Sequence, residues 1–381
     1  MSAMPVEQLW QGRQVVVCVG TGGVGKTTVA ASLAMAAALR GRRVLVMTID
    51  PSLRLAQSLG IAGRRGEVVP IESFDGGGQV SALVLDVQRT FDALIEARAA
   101  SPEQAAAIRN NPIYRHFSAS LAGSHEYAAI ENLWDGVQSE AFDLVVLDTP
   151  PAQNALDFLE APRRILQFLQ GQSLFGRMPG GSLAASVGRR LFDLGGGLIK
   201  SNVAKIAGGQ VLDDVLAFLQ ALSGMYDSFC QRADGIERLL QSDDCAFVLV
   251  AGTGGAQGTA LARFEADLKS FSIEPRGYIV NRLRPLPTSA ELSQAGPQAF
   301  DQALELALRP GGAKAADQAP FRRACQHAFA EGVSDQLALE RLVARAGRRG
   351  VFPLYERGGS VDCPQAIRSI AGELLTAAAR P

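Results

Sequence analysis

Apolar and polar positions along this chain follow two regimes. Short, β-branched, mostly apolar runs recur at Val15 to Val19, Arg42 to Ile49 (RRVLVMTI), Val80 to Val87, Phe142 to Asp148 (FDLVVLD), Phe247 to Ala251 (FVLVA) and Tyr278 to Asn281. Runs without polar alternation make strands buried on both faces, as parallel strands covered by helices are. Helical stretches lie between them. Val29 to Leu39 is apolar enough for an enclosed helix, and a further helix is expected over Glu126 to Val137. Phe91, Leu94 and Ile95 mark one helix face, and Leu261, Phe264, Leu268 and Phe271 another. Strand and helix in alternation predict an α/β fold, a mostly parallel sheet flanked by helices. Residues 63–79 read as a glycine-rich surface excursion, and 101–125 as mixed, with Pro102 and Pro112 as breaks. Residues 285–320 read as a surface segment with one helix near Phe300 to Leu308. Phe321 to Ala346 reads as helical, and Val351 to Leu354 as a short strand or loop.

From Leu156 to Asp243 the alternation stops and the chain reads as mostly helical. The predicted organisation is one α/β domain, residues 1–155 and 244–381, with a helical subdomain, 156–243, inserted after the Phe142 to Asp148 strand. Its longest periodic stripe is Val211, Val215, Phe218, Leu222, Met225 and Phe229, spaced four and three residues apart. Such a stripe reads as bundle core, or, if exposed, as a groove for an apolar partner.

The stretch that carries chemistry is Gly20-Thr-Gly-Gly-Val-Gly-Lys-Thr-Thr28, between the first strand and the first helix. Strand, glycine turn and Gly-Lys-Thr opening a helix is the context of a phosphate-binding loop. The glycines let successive backbone N–H groups, among them those of Gly22, Gly23, Val24 and Gly25, face one concavity at the positive end of a helix. Lys26 is placed to reach the β and γ phosphates, and Thr27 to offer its hydroxyl to Mg²⁺. The chain is therefore expected to bind a nucleoside triphosphate. Asp148 ends a buried strand, the place of a Walker B carboxylate that holds Mg²⁺ through water. Asp50, at the end of the second strand, reads either as a residue that orients or deprotonates water or as the N-cap of the next helix. Gly252 to Gly255 superficially repeats the first loop, but no Gly-Lys-Thr comes after it, and it reads as a turn.

Composition narrows the classes. The 381 residues are 47% hydrophobic and 20% charged, the balance of a well-cored soluble protein. A formal net charge of -1 with a pI near 6.4 argues against nucleic acid as the main partner. The start, MSAMPVEQLW, has no signal-peptide pattern, and no apolar run is long enough for an integral membrane segment, so a cytoplasmic location is expected. The five cysteines, Cys18, Cys230, Cys245, Cys325 and Cys363, form no CxxC pair and read as free thiols.

Taken in order, GTGGVGKTT, TIDPSLRLAQSLG, LVVLDTPPAQNALDFL, VNRL and VFPLYERGG resemble the arsenical-pump ATPase family of P-loop NTPases. That family includes arsenite-efflux ATPase subunits and the factors that deliver tail-anchored membrane proteins. The resemblance spans Val15 to about Gly359. It implies that Gly22, Gly23, Gly25, Lys26, Thr27 and Thr28 bind phosphates and Mg²⁺, and that Asp50 in switch I handles the attacking water. It also implies that Thr149 to Asp157 form switch II, that Asn281 faces adenine, and that the backbone around Pro353 closes over the base. The chain has no NKxD run, so ATP is expected over GTP. The loop resembles the deviant Walker A subtype, in which a signature lysine reaches across a dimer to the partner's phosphates. Thr21 stands at that position here. Hydrolysis is then expected to be slow, or to draw on the lysine of a partner; Arg54 reads as a solvated helix residue first and as a candidate substitute cation second. The zinc-binding CxxC of many targeting factors is absent, and the scattered cysteines make no evident arsenite site.

The resemblance thus implies an ATPase whose nucleotide state opens and closes a dimer and engages a hydrophobic protein client. The dimer would be a homodimer, or a heterodimer with a lysine-bearing paralogue. Two other readings stand beside it: a nucleotide-dependent scaffold akin to partition and division-site ATPases, and an arsenite-pump catalytic subunit.

Overall fold

The structure, a computed structural model, describes residues 4–49, 54–61, 63–112, 114, 124–149, 158–164, 218, 225–253, 255–286, 300–302, 304–305, 315–347, 349–358, 361 and 363–377. Its strands are β1 (Val15–Gly20), β2 (Arg43–Thr48), β3 (Val68–Ser73), β4 (Gln79–Val84), β5 (Leu144–Asp148), β6 (Cys245–Ala251), β7 (Pro275–Leu283) and β8 (Gly350–Tyr355). They form one sheet in the order β3-β4-β2-β5-β1-β6-β7-β8. Every pairing is parallel except β3 on β4. From β1 the chain builds outward on one side through β2 and later on the other through β6. That makes β1 the switch point, beyond whose carboxyl end the ligands of open α/β sheets bind.

The period of two along each strand divides the core into two layers. Val16, Cys18, Val44 and Val46 face α1 (Lys26–Leu39), α2 (Arg54–Ser58) and α9 (Pro364–Thr376). Val15, Val17, Val19, Leu45 and Met47 face the opposite layer. That layer holds α3 (Val87–Arg98), α4 (Pro102–Asn110), α5 (Ser124–Gln138), α6 (Tyr226–Gln241), α7 (Gly255–Ser270) and α8 (Ala315–Ala346). α1 is enclosed along nearly its whole length, as its unbroken apolar sequence requires. α9 buries Ile367, Ile370, Ala371 and Leu374 and packs on α1, so the apolar face of this last helix is already occupied. Among the described residues, no helix is long and apolar enough to cross a membrane.

Three elements differ from the sequence reading. The excursion at 63–79 contains β3, an edge strand in which only Val69 is fully covered and which carries Pro70 at a register shift. Pro102 does not break a helix but opens α4, one residue after Ser101, whose hydroxyl accepts from Gln104 N at 3.3 Å. α8 begins at Ala315, six residues before the expected start.

Within the stretch expected to be an insertion, α6 is part of the body of the fold. Phe229, Ile236, Leu239 and Leu240 join the core beneath the sheet. Glu131 on α5, only 1% exposed, accepts from Tyr127 Oη at 2.5 Å and pairs with Arg232 of α6. Burial holds the Glu131 carboxyl above its ordinary value despite the Arg232 guanidinium beside it. Of the predicted stripe, Phe218, Met225 and Phe229 are buried, Phe218 against Tyr114. Val211, Val215 and Leu222 lie outside the described residues, as do most of 165–224.

Candidate functional site

The loop leaving β1 is shaped by the groups that abut it. A Cβ on Gly20 would lie 2.1 Å from the Val250 carbonyl oxygen of the neighbouring strand β6, so no larger residue fits there. Gly23 and Gly25 take φ of 79° and 85°, the left-handed region that glycine enters without steric cost. The curl delivers the chain to α1 at Lys26, and its N-cap, Gly25, has no side chain with which to cap that helix. Its first N–H groups, at the positive end of the dipole, are placed for an anion.

Lys26 is 7% exposed and its ammonium donates to the Thr21 carbonyl at 3.0 Å, folding the side chain back across the loop. Thr27 Oγ1 donates to Asp148 Oδ2 at 2.7 Å, and Thr48 Oγ1 donates to the same oxygen at 3.0 Å. The sheet register makes this convergence possible, because Asp148 stands level with Cys18 on β1 and with Thr48 on β2. A hydroxyl and a carboxylate that meet at the mouth of a phosphate-binding loop are the hard oxygen donors Mg²⁺ takes, so these residues fit the ion. Thr149 Oγ1 donates to the Cys18 carbonyl at 2.8 Å, fixing the first residue beyond β5 against β1. The Cys18 thiol is pushed far above its ordinary pKa by burial and then by Asp148, and is chemically quiet.

On the other side of β1, the tip of β7 reaches the loop. Asn281 Nδ2 donates to the Val24 carbonyl at 2.8 Å, and Arg282 donates to the Gly23 carbonyl at 3.1 Å. Pro353 lies one strand further out, on β8 beside Val280. The loop residues, Asp148 and Asn281 therefore meet in one place. Asp50 and most of the expected switch II, 150–157, lie outside the described residues. The chain entering Asp50 is nevertheless anchored, since Ile49 N donates to the Asp148 carbonyl at 3.2 Å. Arg54 opens α2 on the exposed surface. Two contacts went unseen in the sequence. Thr48 was readable in principle, as a hydroxyl at a strand tip two residues before Asp50. Arg282 gave no sign, because nothing local marks a left-handed arginine.

Residues 13–295 match the anion-transporting ATPase family. The chain belongs to that family. A relative, "ATPase get3" of Aspergillus terreus, is 27% identical over 266 residues, covering 69% of this chain and 71% of that protein. The family match takes in the loop, the Thr27–Asp148 pair and the Asn281 contact, and ends before α8, β8 and α9 begin.

Proposed function

We propose that the protein binds ATP with Mg²⁺ at this loop, hydrolyses it slowly, and uses the change to open and close a dimer of its own copies that engages a hydrophobic protein client. The observation that carries the reading is the Thr27–Asp148 hydrogen bond of 2.7 Å beside Lys26. Thr27 would hold Mg²⁺ directly and Asp148 through water, and the ion would spread charge off the β and γ phosphates. Lys26 would exchange the Thr21 carbonyl for phosphate oxygens, a stronger, charge-assisted partner. Asp50, two residues beyond Thr48, would orient the attacking water. Thr21 offers no cation to the transferring phosphoryl group, and a missing cation of that kind costs orders of magnitude in rate. Slow turnover is the consequence of the residue itself.

The client part draws on the resemblance to targeting factors and on the helical stretch between Leu156 and Asp243. The part of it that precedes α6 is proposed as the region that moves with nucleotide state and would carry the client face. The test compares wild type, Asp50→Asn and Thr21→Lys for ATP affinity by calorimetry and for phosphate release. Asp50→Asn is expected to keep ATP binding and lose hydrolysis, and Thr21→Lys to raise it. Unchanged turnover in Asp50→Asn would overturn that residue's role, and a wild type that ignores MgATP would overturn the whole reading.

A further inference from the structure

At the carboxyl edge of the sheet, Cys18 of β1, Asp148 of β5 and Thr48 of β2 stand level with one another. By the period of two, Thr48 and Asp148 share the face that Val44, Val46, Leu144 and Val146 present to α1. Along that face β2 reads Val44, Val46, Thr48, and Thr48 is as enclosed as the two valines, at 1% exposed. Valine has the shape of threonine without the hydroxyl, so packing alone does not call for a threonine there. A hydroxyl taken out of water recovers its cost only through a hydrogen bond. Thr48 Oγ1 makes that bond across the strands, donating to Asp148 Oδ2 at 3.0 Å.

The backbone that presents this hydroxyl is fixed on both sides. The Thr48 carbonyl accepts from Leu85 N at 3.4 Å, and Ile49 N donates to the Asp148 carbonyl at 3.2 Å. A side chain carried by a strand inside the sheet is placed more sharply than one carried by a loop. The same oxygen, Asp148 Oδ2, receives the Thr27 hydroxyl at 2.7 Å. Thr27 spends its one hydroxyl proton on the carboxylate, and what its oxygen then has to offer is lone pairs, the donor a hard cation takes. The direction of those lone pairs follows the position of the carboxylate, and Thr48 helps to set that position.

We propose that Thr48 is a positioning residue for the ion site: its hydroxyl holds the Asp148 carboxylate where Thr27 and Asp148 can serve Mg²⁺ together. Partners that hydrogen-bond a metal-site carboxylate fix its orientation, and losing one weakens metal affinity by about ten- to a hundredfold. The proposal rests on the nucleotide reading above.

The experiment measures ATP affinity by calorimetry for wild type, Thr48→Val and Thr48→Ser, each with excess Mg²⁺ and with EDTA. Melting temperatures are recorded without nucleotide. The ratio of the two affinities is the contribution of the ion. Thr48→Val keeps the shape of the side chain and is expected to lower that ratio about tenfold, with the affinity in EDTA unchanged. Thr48→Ser keeps the hydroxyl and should keep the wild-type ratio. A hydroxyl that served strand stability alone would shift the melting temperature and leave the ratio where it was. An unchanged ratio in Thr48→Val overturns the proposal. So does a loss of equal size with and without the ion, or a Thr48→Ser ratio as low as that of Thr48→Val. A wild type that binds ATP equally well in Mg²⁺ and in EDTA overturns the ion assignment and the proposal, and leaves the loop as an ATP site. A wild type that binds ATP in neither condition fails the nucleotide reading itself, and the proposal with it.

Discussion

Two neighbouring strands of this sheet end in the same way to the eye. β1 runs into Gly20-Thr-Gly-Gly and then α1; β6, its hydrogen-bonded neighbour, runs into Gly252-Thr-Gly-Gly255 and then α7. Both are parallel strand, glycine turn and helix, with their amino ends level at Val15 and Cys245. They differ in the residues that come after the glycines and in the groups packed around them. The first turn delivers Lys26 and Thr27, and Thr27 meets Asp148 of the strand on its other side. Its carbonyls are gripped by Asn281 and Arg282, and its helix is enclosed. The second turn opens a helix whose apolar residues Leu261, Phe264 and Leu268 are buried, while Gly258 is exposed and, among the described residues, nothing comes within 4 Å of a Cβ built there. Glycines curl a backbone; a cation, a hydroxyl and a facing carboxylate turn the curl into a phosphate site.

The largest effect should come from removing the cation. Lys26→Ala leaves the glycines and the helix start in place, so the comparison predicts a loop of unchanged shape that no longer does chemistry. Hydrolysis measured as phosphate release should fall by roughly a thousandfold, the scale seen when a charge aimed at a developing anion is lost. Circular dichroism and melting should change little. Retained hydrolysis would place the site elsewhere.

How far the two turns could be told apart from residues alone depends on the same difference. The first was legible because its chemistry is local: nine consecutive residues hold the glycines, the lysine and the threonine. Asp148 was legible because a carboxylate ending an apolar run stands out. The central strands were legible for a related reason, since burial on both faces leaves unbroken apolar runs at β1, β2, β5 and β6. β3 was not, because an antiparallel edge strand with solvent on one side has a burial pattern that a loop also shows. The Thr48 and Arg282 contacts depend on register between strands far apart in the chain; a hydroxyl at a strand tip hinted at the first, and nothing local at the second. The burial of α6 was hidden likewise, because its apolar face is the same whether it meets a bundle or the sheet.

A smaller effect separates the two turns by their glycines. Gly25→Ala forces an L-residue to φ 85° and puts a methyl group 2.4 Å from Asn281 Nδ2. The backbone strain alone should cost about 1–2 kcal/mol. Gly258→Ala sits in the second unit, in a helix, in open space. Helix propensity should there add about 0.5–1 kcal/mol of stability. Urea midpoints should therefore move in opposite directions, with ATP affinity reduced only in Gly25→Ala. Equal tolerance at both positions would mean the first loop is not held in the curled form.

The smallest effect lies at the other end of β5, where the strand that carries Asp148 begins. Asp148 takes the Thr48 hydroxyl of β2, whereas Asp143, just before β5, takes the Arg43 guanidinium of the same strand at 2.6 Å. One pairing leaves a carboxylate for a ligand; the other satisfies it with a partly exposed ion pair. The Arg43 side-chain hydrogen bond holds the Asp143 carboxyl below its ordinary 3.8. Its stabilisation is therefore present above that value and lost as pH falls through the lower folded one. Replacing it by Asp143→Asn should shallow the acid limb of stability below about pH 4 and leave neutral-pH ATP binding untouched. Both groups are substantially solvated, so the change is small and should shrink further in high salt. Urea midpoints at pH 3 and pH 6 measure it, and an acid limb identical to wild type would show that this end of the strand is held by its backbone ladder alone.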